Sequence, residues 1–363
     1  MDPLTVETPD GVWLRQEVSL AARARRVAAQ LAGRVGMPAE RVGQIELAVT
    51  EAAANLAAHA DDGALLLRLV DTGAGMAVEL LAIDHGPGIA DLDHARRAGV
   101  STAGTPGLGL GVLERMADSF DVHSLMNRGT VLVARFRDRT GTAVARRPLP
   151  EPFVAGLTRP LSGEQVCGDA WAVRSAEPPA TAVPSEAVDP GTPLLAMLCD
   201  GLGHGPLAAR ASEQALAAFH RTTAEDPKDI IAELHRALTG TRGGAVAVAA
   251  IDWQRRRIAF CGIGNVSAFV VSGQARSTLL SSPGIVGHHL PRLRGQEAEL
   301  PAGASVVFHS DGLTERWSPA TMPSLSAASS TIIAAHLLRE AGVRRDDASV
   351  VVIKDPATAG AGS

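Results

Sequence analysis

The N-terminal half of the chain shows first a helical and then an extended pattern of apolar residues. Ala, Val and Leu recur at helical spacing over residues 20–35, with arginines on the polar side. A second, Ala-rich helix is predicted over residues 41–60, after the helix-start pattern Pro38-Ala39-Glu40. Alternation and turn residues then predict four strands and one more helix. The strands cover residues 64–70, 76–84, 120–124 and 130–136, and the helix covers residues 111–119.

The C-terminal half is a succession of strand-like runs interrupted by helical patterns. Residues 140–152 lose this periodicity and are rich in Gly, Arg and Pro, which predicts a linker. The strands predicted after it cover residues 165–173, 193–199, 244–252, 257–263, 267–271, 305–309 and 349–353, and the helices cover residues 206–221, 227–239 and 331–340. This set favours an α+β sandwich. The Pro-rich residues 175–193 predict a disordered flap between the first two strands.

Length and composition predict a globular protein of two domains. The chain has 363 residues, of which 46% are hydrophobic and 20% charged. We expect domains at residues 1–139 and 153–356, the linker 140–152 between them, and a flexible tail at 357–363. The net charge of −5 gives no electrostatic footprint for nucleic acid or an anionic membrane. No apolar run approaches the roughly 20 residues of a spanning helix. The N-terminus shows no signal-peptide pattern, so we expect a cytoplasmic protein.

Glu51 and Asn55 are the first candidate functional residues. They lie four residues apart in a predicted helix, so both side chains point to one face. A carboxylate and a carboxamide there can position a nucleophile and hold a hydrated Mg²⁺, which prefers oxygen ligands and keeps several waters. A solvated helix face is the ordinary explanation of such a pair on its own. The pair therefore gains meaning only from the motifs that follow it.

Two glycine-containing motifs follow in the same half. Asp84 ends an apolar strand and is followed by Gly86 and Gly88, so its carboxylate can accept a hydrogen bond from an exocyclic amine while the backbone approaches a flat ring. Further on, three alternate glycines open a helix, where backbone N–H groups and the positive helix end can cradle phosphates. These glycines are Gly107, Gly109 and Gly111. Each motif alone also suits an ordinary turn, but their order and spacing together predict a nucleotide site.

Residues 16–137 resemble the GHKL (Bergerat-fold) superfamily of ATPases and kinases. The motifs that carry the resemblance are Glu51-Ala-Ala-Ala-Asn55, Asp84-His85-Gly86-Pro87-Gly88-Ile89 and the run that ends in Gly107-Leu108-Gly109-Leu110-Gly111. They look most like the switch-protein kinases of bacterial stress signalling, which are relatives of the anti-sigma-factor kinases. The resemblance implies an α/β sandwich made of a mixed sheet with helices on one face.

The same resemblance implies roles for individual residues. Asp84 would hold ATP, with Thr130 near the adenine. Asn55 would hold Mg²⁺, and Glu51 would act as general base toward a substrate serine. Spacing alone does not separate a kinase from an ATPase.

The C-terminal half carries acidic residues at or near the ends of four apolar strands. Asp169, Asp200, Asp311 and Asp346 can therefore converge at one edge of a sandwich. Carboxylate oxygens with no His or Cys beside them favour Mg²⁺ or Mn²⁺ over Zn²⁺. Two such ions can activate water for in-line attack on phosphorus. Asp-Gly pairs are also common turns, so spacing alone leaves the ordinary explanation open.

The residues around these acids resemble the metal-dependent serine/threonine phosphatases of the PPM family. The likeness spans residues 153–354 and is closest to the bacterial sporulation and stress-response branch. Its motifs are Val166-Cys167-Gly168-Asp169-Ala170-Trp171, Cys199-Asp200-Gly201-Leu202-Gly203-His204-Gly205 and His309-Ser310-Asp311-Gly312. The resemblance implies a β-sandwich flanked by helices and a site for two Mn²⁺ or Mg²⁺ ions.

The phosphatase resemblance also implies a ligand set. Asp200 would bridge both ions, and the Gly201 carbonyl, Asp311 and Asp346 would complete the set. Asp169 would be a ligand or an acid behind the ligands. Asp346 is favoured over its neighbour Asp347 by the family pattern. For His204 two roles stay open: it would contact the substrate phosphate, or it would pack within a turn.

Together the two halves lead to the hypothesis of a bifunctional regulator in a sigma-factor partner-switching pathway. The N-terminal domain would phosphorylate Ser or Thr on a STAS-type antagonist protein with ATP and Mg²⁺, and the C-terminal domain would hydrolyse that phosphate. In the alternative, the N-terminal domain binds ATP and sequesters a partner such as a sigma factor, and only the phosphatase is catalytic. A general ATPase of chaperone or repair type is disfavoured by the short segment at residues 98–106. The oligomeric state is left open.

Overall fold

The computed structural model describes residues 11–72, 75–97, 109–139, 149, 152–176, 192–321, 327–343 and 345–359. The chain divides into two compact units, and the second begins at Pro152, the last residue of the predicted linker. Most of that linker and of the predicted flap lie outside the described residues, so the domain limits given above stay predictions. No helix in the described ranges is long and apolar enough to cross a membrane.

The described part of the first unit is a five-stranded sheet with four helices. Its strands are β1 Val12–Arg15, β2 Ala64–Asp71, β3 Met76–Ile83, β4 Ser119–Leu125 and β5 Gly129–Arg137. Its helices are α1 Leu20–Arg34, α2 Ala39–His59, α3 Leu92–Arg97 and α4 Gly109–Met116. The strand order across the sheet is β1-β2-β3-β5-β4. The helices and strands predicted for this half are present, and the structure adds the short helix α3.

The sheet is antiparallel at every pairing of its described strands, which corrects the mixed sheet that the resemblance implied. β2 and β3 form one hairpin, and β4 and β5 form another. The connection through α3 and α4 brings the chain back parallel to β3. However, β5 inserts between β3 and β4, so direct neighbours always run in opposite directions.

Helix α2 joins the core of this unit to its candidate site. Ala48, Ala52 and Leu56 recur every four residues on α2, are buried, and pack with α1 against the apolar residues of the sheet. Glu51 and Asn55 lie on the neighbouring stripe and are only partly buried. The candidate functional side chains are thus carried by a rigid core helix.

A buried ionic triad crosses three strands of the same sheet. Arg68 on β2 and Arg135 on β5 flank Glu79 on β3 and donate to its two carboxylate oxygens, each over 2.8 Å. Burial by itself would raise the pKa of Glu79, but the two guanidinium groups outweigh it and hold the pKa below its ordinary value. The three charges are stable in the core only as a set, because none of them is in contact with bulk water.

The second unit contains two five-stranded sheets. Its strands are β6 Val154–Arg159, β7 Asp169–Ser175, β8 Leu194–Gly201, β9 Gly244–Asp252, β10 Arg257–Ile263, β11 Ser267–Ser272, β12 Ala275–Leu279, β13 Gln296–Glu299, β14 Ser305–His309 and β15 Ala348–Lys354. Its helices are α5 Pro206–Arg221, α6 Pro227–Leu238, α7 Ser330–Ala341 and α8 Pro356–Ala359, with a 3₁₀ turn at Pro319–Thr321. The strand orders are β13-β10-β9-β8-β7 and β12-β11-β14-β15-β6.

The two sheets pack face to face around one apolar core. Leu198 and Phe260 of the first sheet meet Val306 and Phe308 of the second. Helices α5 and α6 cover the outer face of the first sheet, and α7 packs on β15 and β6 of the second. The α+β sandwich with flanking helices is therefore confirmed.

The three strands that the sequence analysis missed, β6, β12 and β13, all lie at sheet edges. β12 and β13 are largely exposed and carry no apolar alternation, because an edge strand has one neighbour and needs little burial. β6 contains Gly156, whose missing side chain makes room for Trp171: a Cβ there would lie 2.1 Å from the indole ring. β7 begins at Asp169, four residues later than predicted.

Candidate nucleotide and metal sites

Six of the nine residues predicted to bind a nucleotide line one cavity of about 440 Å³ in the first unit. Of the other three, Gly86 and Gly111 are not among its lining residues, and Gly107 is not described. Glu51 and Asn55 line it from α2, Asp84 lies just past the end of β3, and Thr130 lies on β5. Cavities of this size are typical of small-molecule sites. The sheet and α2 therefore bring together side chains that are up to 79 residues apart.

The Asp84 carboxylate is fixed by backbone groups on two sides. Its Oδ1 accepts hydrogen bonds from the N–H of Gly86 over 2.7 Å and of Thr130 over 3.3 Å. The Thr130 hydroxyl lies 3.0 Å from the hydroxyl of Ser124, which also accepts the Ile89 N–H over 2.7 Å. Ser124 thus links Thr130 to the loop after Asp84. The sequence analysis missed Ser124, because a serine on an edge strand carries no motif.

Two of the predicted glycines allow the loop after Asp84 to lie against its neighbours. Gly88 has φ +74°, and a Cβ there would lie 2.3 Å from the Leu125 carbonyl oxygen. A Cβ on Gly86 would lie 2.4 Å from the carbonyl oxygen of His59 at the end of α2. Larger residues at either position would push this wall of the cavity away from α2 or β4.

The glycine-rich segment is described only from Gly109 onward, so Gly107 lies outside the described residues. Gly109 begins α4 with φ +64° and lines the cavity. Gly111 lies against α3 instead, where a Cβ would be 2.2 Å from the Arg96 carbonyl oxygen. Arg96 and Glu114 also join these helices by hydrogen bonds of 3.1 and 2.6 Å. The N-terminus of α4 is therefore held at the cavity, where it suits phosphate groups.

In the second unit, the acidic strand ends predicted from the sequence meet at one end of the sandwich. Asp169 and Asp200 are direct partners on β7 and β8, and Asp200 is hydrogen-bonded to Asp311. Burial and the negative charges of Asp169, Asp311 and Asp346 raise the pKa of Asp200 to about 9. The four carboxylates are therefore close enough to repel one another strongly.

Asp169 is the most deeply placed member of this group. It is 5% exposed, and its Oδ2 accepts the Ser310 hydroxyl over 2.7 Å. Burial raises the pKa of Asp169 to about 7 in spite of that hydrogen bond. Ser310 in turn accepts the Ser349 N–H over 3.0 Å and so connects the strands that carry Asp311 and the last acids. The sequence analysis did not single out Ser310, although it directly precedes Asp311.

The structure gives Asp346 and Asp347 different surroundings. The Asp347 carboxylate accepts the Leu161 N–H over 2.7 Å and the Gly168 N–H over 2.8 Å, one on each oxygen. It therefore anchors the loop before Asp169. Asp346 lies within electrostatic range of Asp200, as described above, which supports Asp346 as the residue facing the cluster.

At Gly201 three segments lie so close together that the position has no room for a side chain. It is buried, its N–H donates to the Gly168 carbonyl over 3.1 Å, and a Cβ there would lie 2.4 Å from the Ala208 carbonyl oxygen. A side chain at this position would separate β8 from α5. Asn265, which the sequence analysis also missed, donates from its amide to Asp311. Like the acids, it follows a buried strand, and that pattern could have found it.

The donor set fits divalent cations that prefer oxygen. Within the described ranges, no three His, Cys, Asp or Glu side chains form a ready-made ligand cluster around one point. The four carboxylates nevertheless influence one another electrostatically, and they offer hard oxygens with no His or Cys ligand among them. Such a donor set suits Mg²⁺ or Mn²⁺. The His204 Nδ1 lies 3.0 Å from the Glu164 carboxylate.

Comparison with known proteins agrees with this division of the chain. Residues 14–136 match the family model "Histidine kinase-like ATPase domain", and residues 190–355 match "Stage II sporulation protein E (SpoIIE)". The serine/threonine-protein kinase RsbT of Bacillus subtilis is 30% identical over 111 residues, which cover 31% of this chain and 84% of RsbT. The chain belongs to the family of histidine kinase-like ATPase domains that includes RsbT, and it carries a region similar to SpoIIE after that domain.

Further relatives match the phosphatase domain. The phosphoserine phosphatase RsbX of Bacillus subtilis is 24% identical over 152 residues, which cover 42% of this chain and 69% of RsbX. A solved structure described as "The bacterial stressosome: a modular system that has been adapted to control secondary messenger signaling" is 30% identical, with a TM-score of 0.47. It covers 55% of this chain and 97% of its own.

The matched ranges contain nearly all the candidate residues. The kinase-like domain match includes Glu51, Asn55 and Asp84, and the SpoIIE match includes Asp200 and Asp311 together with the last acids. The SpoIIE match does not reach Asp169. The kinase-like domain is thus of an ATP-binding type, and the phosphatase domain is of a metal-dependent serine/threonine type.

Proposed function

We propose that this chain adds and removes a phosphoryl group on a protein of a bacterial stress or sigma-factor switching pathway. The kinase-like domain phosphorylates Ser or Thr of a STAS-type antagonist, and the phosphatase domain hydrolyses the phosphoserine or phosphothreonine. The observation that carries the proposal is the occurrence, in one chain, of a nucleotide-sized cavity and a separate cluster of four carboxylates. The similarity to both RsbT and RsbX supports it.

In the proposed kinase reaction, ATP supplies the phosphoryl group and Mg²⁺ neutralises its charge. Asp84 accepts the exocyclic amine of adenine, since two backbone N–H groups already fix that carboxylate. Asn55 holds Mg²⁺ by its amide oxygen. Glu51, one helical turn earlier, accepts the proton of the substrate hydroxyl as the new P–O bond forms and the bond to the leaving phosphate breaks.

In the proposed phosphatase reaction, two Mg²⁺ or Mn²⁺ ions supply Lewis-acid activation of water for attack on phosphorus. Asp200, Asp311, Asp346 and the Gly201 carbonyl would hold these ions. Asp169 serves as a ligand or supports the others from behind, held by Ser310. Water adds to phosphorus, the seryl oxygen leaves, and it takes up a proton.

The kinase assignment is tested with a candidate STAS protein, ATP and Mg²⁺. Glu51→Ala and Asn55→Ala should abolish incorporation of phosphate into the partner. Glu40→Gln is the matched control, because Glu40 is exposed on the same helix and lies about 16 Å away along its axis. Phosphorylation that survives in both cavity variants sinks the kinase assignment.

The phosphatase assignment is tested with the phosphorylated partner. Asp200→Ala or a chelator should stop release of phosphate. Adding Mn²⁺ or Mg²⁺ after chelation should restore turnover in the wild-type chain and not in the Asp200→Ala variant. Turnover that is indifferent to both treatments rules out the metal-dependent reaction.

The second candidate function is an ATP-binding module that sequesters a partner such as a sigma factor. The same cavity supports it, because Asn55 and Asp84 would hold ATP whether or not Glu51 acts as a base. Calorimetric titration of the partner in the presence of ATP or of a non-hydrolysable analogue separates the two functions. Tight binding in both, without phosphate transfer, favours sequestration.

A further inference from the structure

An exposed arginine lies beside the loop that carries Asp200. Arg242 lies two residues before β9, and its Nη1 is 2.9 Å from the point where a Cβ on Gly203 would stand. Gly203 is three residues past Asp200. Among the described residues, Arg242 has no hydrogen bond or ion pair with another side chain or with the backbone. Its five N–H donors are therefore available to an anion.

The position of Arg242 is set by strand pairing. Gly201 is the partner of Gly244 across β8 and β9, and the Leu202 N–H donates to the Gly243 carbonyl over 3.0 Å. The backbone next to Arg242 is thus tied to the backbone next to Asp200. Because this register also builds the sandwich, it holds the guanidinium against Gly203, in the loop that follows Asp200.

The charges of the proposed site and its substrate leave a negative charge that a cationic side chain can balance. Two divalent ions balance the four carboxylates, and a phosphate monoester then brings a charge of about −1.5 to −2 with no counter-charge. A guanidinium is the side chain best matched to phosphate, because its planar donors bind two oxygens at once. His204 is less suitable, since its ring is paired with Glu164.

Three exposed apolar side chains surround the same loops. Val166 and Leu202 are each 40% exposed and Leu207 is 54% exposed, and we call these three the apolar rim. Val166 lies three residues before Asp169, Leu202 two residues after Asp200, and Leu207 in the first turn of α5. Their segments are in direct contact through Gly168, Gly201 and the start of α5. Large apolar side chains left exposed around a polar site are typical of a protein-binding surface.

We propose that Arg242 and the apolar rim form the surface by which the phosphatase domain recognises its phosphoprotein. The Arg242 guanidinium binds the phosphate of the phosphorylated serine or threonine, and the rim covers apolar side chains next to that residue in the substrate. This inference rests on the proposed phosphatase function. It adds to that function a substrate class, a phosphorylated segment flanked by apolar residues.

The contribution of Arg242 is tested with two small probes on the full chain in Mg²⁺ or Mn²⁺. Arg242→Ala should weaken the binding of inorganic phosphate, measured by calorimetric titration, by about 10- to 100-fold. It should lower kcat/KM for p-nitrophenyl phosphate by a similar factor, chiefly through KM. Arg242→Lys should recover part of both, because it keeps the charge and loses the planar fork.

The matched control for this test is Arg255→Ala. Arg255 is an exposed arginine in the turn after β9, about 26 Å from the carboxylate end of that strand. It should leave phosphate affinity unchanged. Equal phosphate affinity in the Arg242 and Arg255 variants overturns the assignment. The assignment is also overturned if Arg345→Ala, which lies beside Asp346, weakens phosphate binding and Arg242→Ala does not.

The rim is tested with two synthetic phosphoserine peptides, one with Leu on both sides of the phosphoserine and its twin with Ser at both positions. The wild-type chain should hydrolyse the Leu peptide with the higher kcat/KM. The double variant Leu202→Ser, Leu207→Ser should lose about tenfold on the Leu peptide and little on p-nitrophenyl phosphate. Leu47→Ser, with the same 40% exposure in the kinase-like domain, should change neither value. A double variant that keeps the wild-type preference overturns the role of the rim.

The outcomes separate this inference from the function on which it rests. If the wild-type chain hydrolyses none of these phosphate esters with either metal, the phosphatase proposal itself fails. If it hydrolyses them and the Arg242 and rim variants behave like their controls, the phosphatase proposal stands and the recognition surface is wrong.

Discussion

Replacing Glu79 by Gln leaves two buried guanidinium groups without the carboxylate that lies between them. Arg68 Nη2 lies 2.7 Å and Arg135 Nε 2.8 Å from the Glu79 oxygens, and the three side chains are at most 5% exposed. Breaking a buried ion pair by removing one partner costs about 3–5 kcal/mol, because the remaining charge is neither hydrated nor paired. The first unit should therefore unfold about 10–20 °C lower than in the wild-type chain.

The pH dependence of stability gives a second, independent test of the contribution of the Glu79 charge. The pKa of Glu79 is lowered on folding from its ordinary value of 4.5. Its contribution to stability is complete above the unfolded-state pKa and is lost as the pH falls through the lower, folded-state pKa. The wild-type unfolding temperature should therefore fall in acid, and the Glu79→Gln variant should lose less of its stability over the same range.

Scanning calorimetry of the full chain at several pH values measures both effects. The control Glu17→Gln removes an exposed carboxylate from the same unit and should leave the transition in place. The variant in which Arg68, Glu79 and Arg135 become Met, Leu and Met should unfold at a higher temperature than Glu79→Gln, since it removes all three charges of the triad. If Glu79→Gln is as stable as wild type, or if the all-apolar variant is as unstable as Glu79→Gln, the reasoning about uncompensated buried charge is wrong.

Three further predictions concern single residues of the candidate sites. Asp347→Asn should destabilise the metal-free chain by about 1–3 kcal/mol in denaturant unfolding, because one of two backbone N–H donors then faces an amide NH₂ group instead of an oxygen. Asp346→Asn should weaken Mn²⁺ binding in calorimetric titration with little effect on metal-free unfolding. Gly201→Ala should cost about 3 kcal/mol or more in the same unfolding assay, because its Cβ would meet a carbonyl oxygen at 2.4 Å. Ser124→Ala should weaken ATP binding about 5- to 10-fold in a fluorescence titration, because two hydrogen bonds behind the cavity wall are lost.

Each of these has a result that contradicts it. Equal Mn²⁺ affinity in Asp346→Asn and wild type would mean that the acids are assigned the wrong way round. Gly295→Ala is the matched control for Gly201→Ala, because its Cβ would meet only the flexible side chain of Lys228 at 3.4 Å. If the two glycine variants are equally stable, close packing at Gly201 is not needed. An unchanged ATP affinity in Ser124→Ala would show that the cavity wall does not depend on that hydroxyl.

Most elements of the fold were predictable from local pattern. The helices around Glu51 and after Gly205 follow the 3.6-residue period, and the strands that end at Asp84 and Asp200 follow continuous apolar runs. These patterns depend only on residues that are close together in the sequence, so they can be recognised without the rest of the chain. The acids at strand ends were found for the same reason.

The edge strands and the strand directions could not be predicted in this way. The sequence of β13, Gln296–Glu299, has Ala298 as its only apolar residue, and it becomes a strand because its backbone pairs with that of β10. The antiparallel order of the first sheet depends on where β5 inserts, which no local pattern records.

The amino-acid sequence by itself determined which residue types stand at the ends of strands and on one face of a helix, and hence the two chemistries. Only the tertiary structure gives Asp346 and Asp347 different surroundings, because the hydrogen bonds to Asp347 come from backbone 186 and 179 residues away. It also placed Ser124 next to Thr130 at the cavity of the first unit and Arg242 beside Gly203, in the loop that follows Asp200. Such contacts join segments that are distant in the chain, so their energies appear only once the sheets have paired.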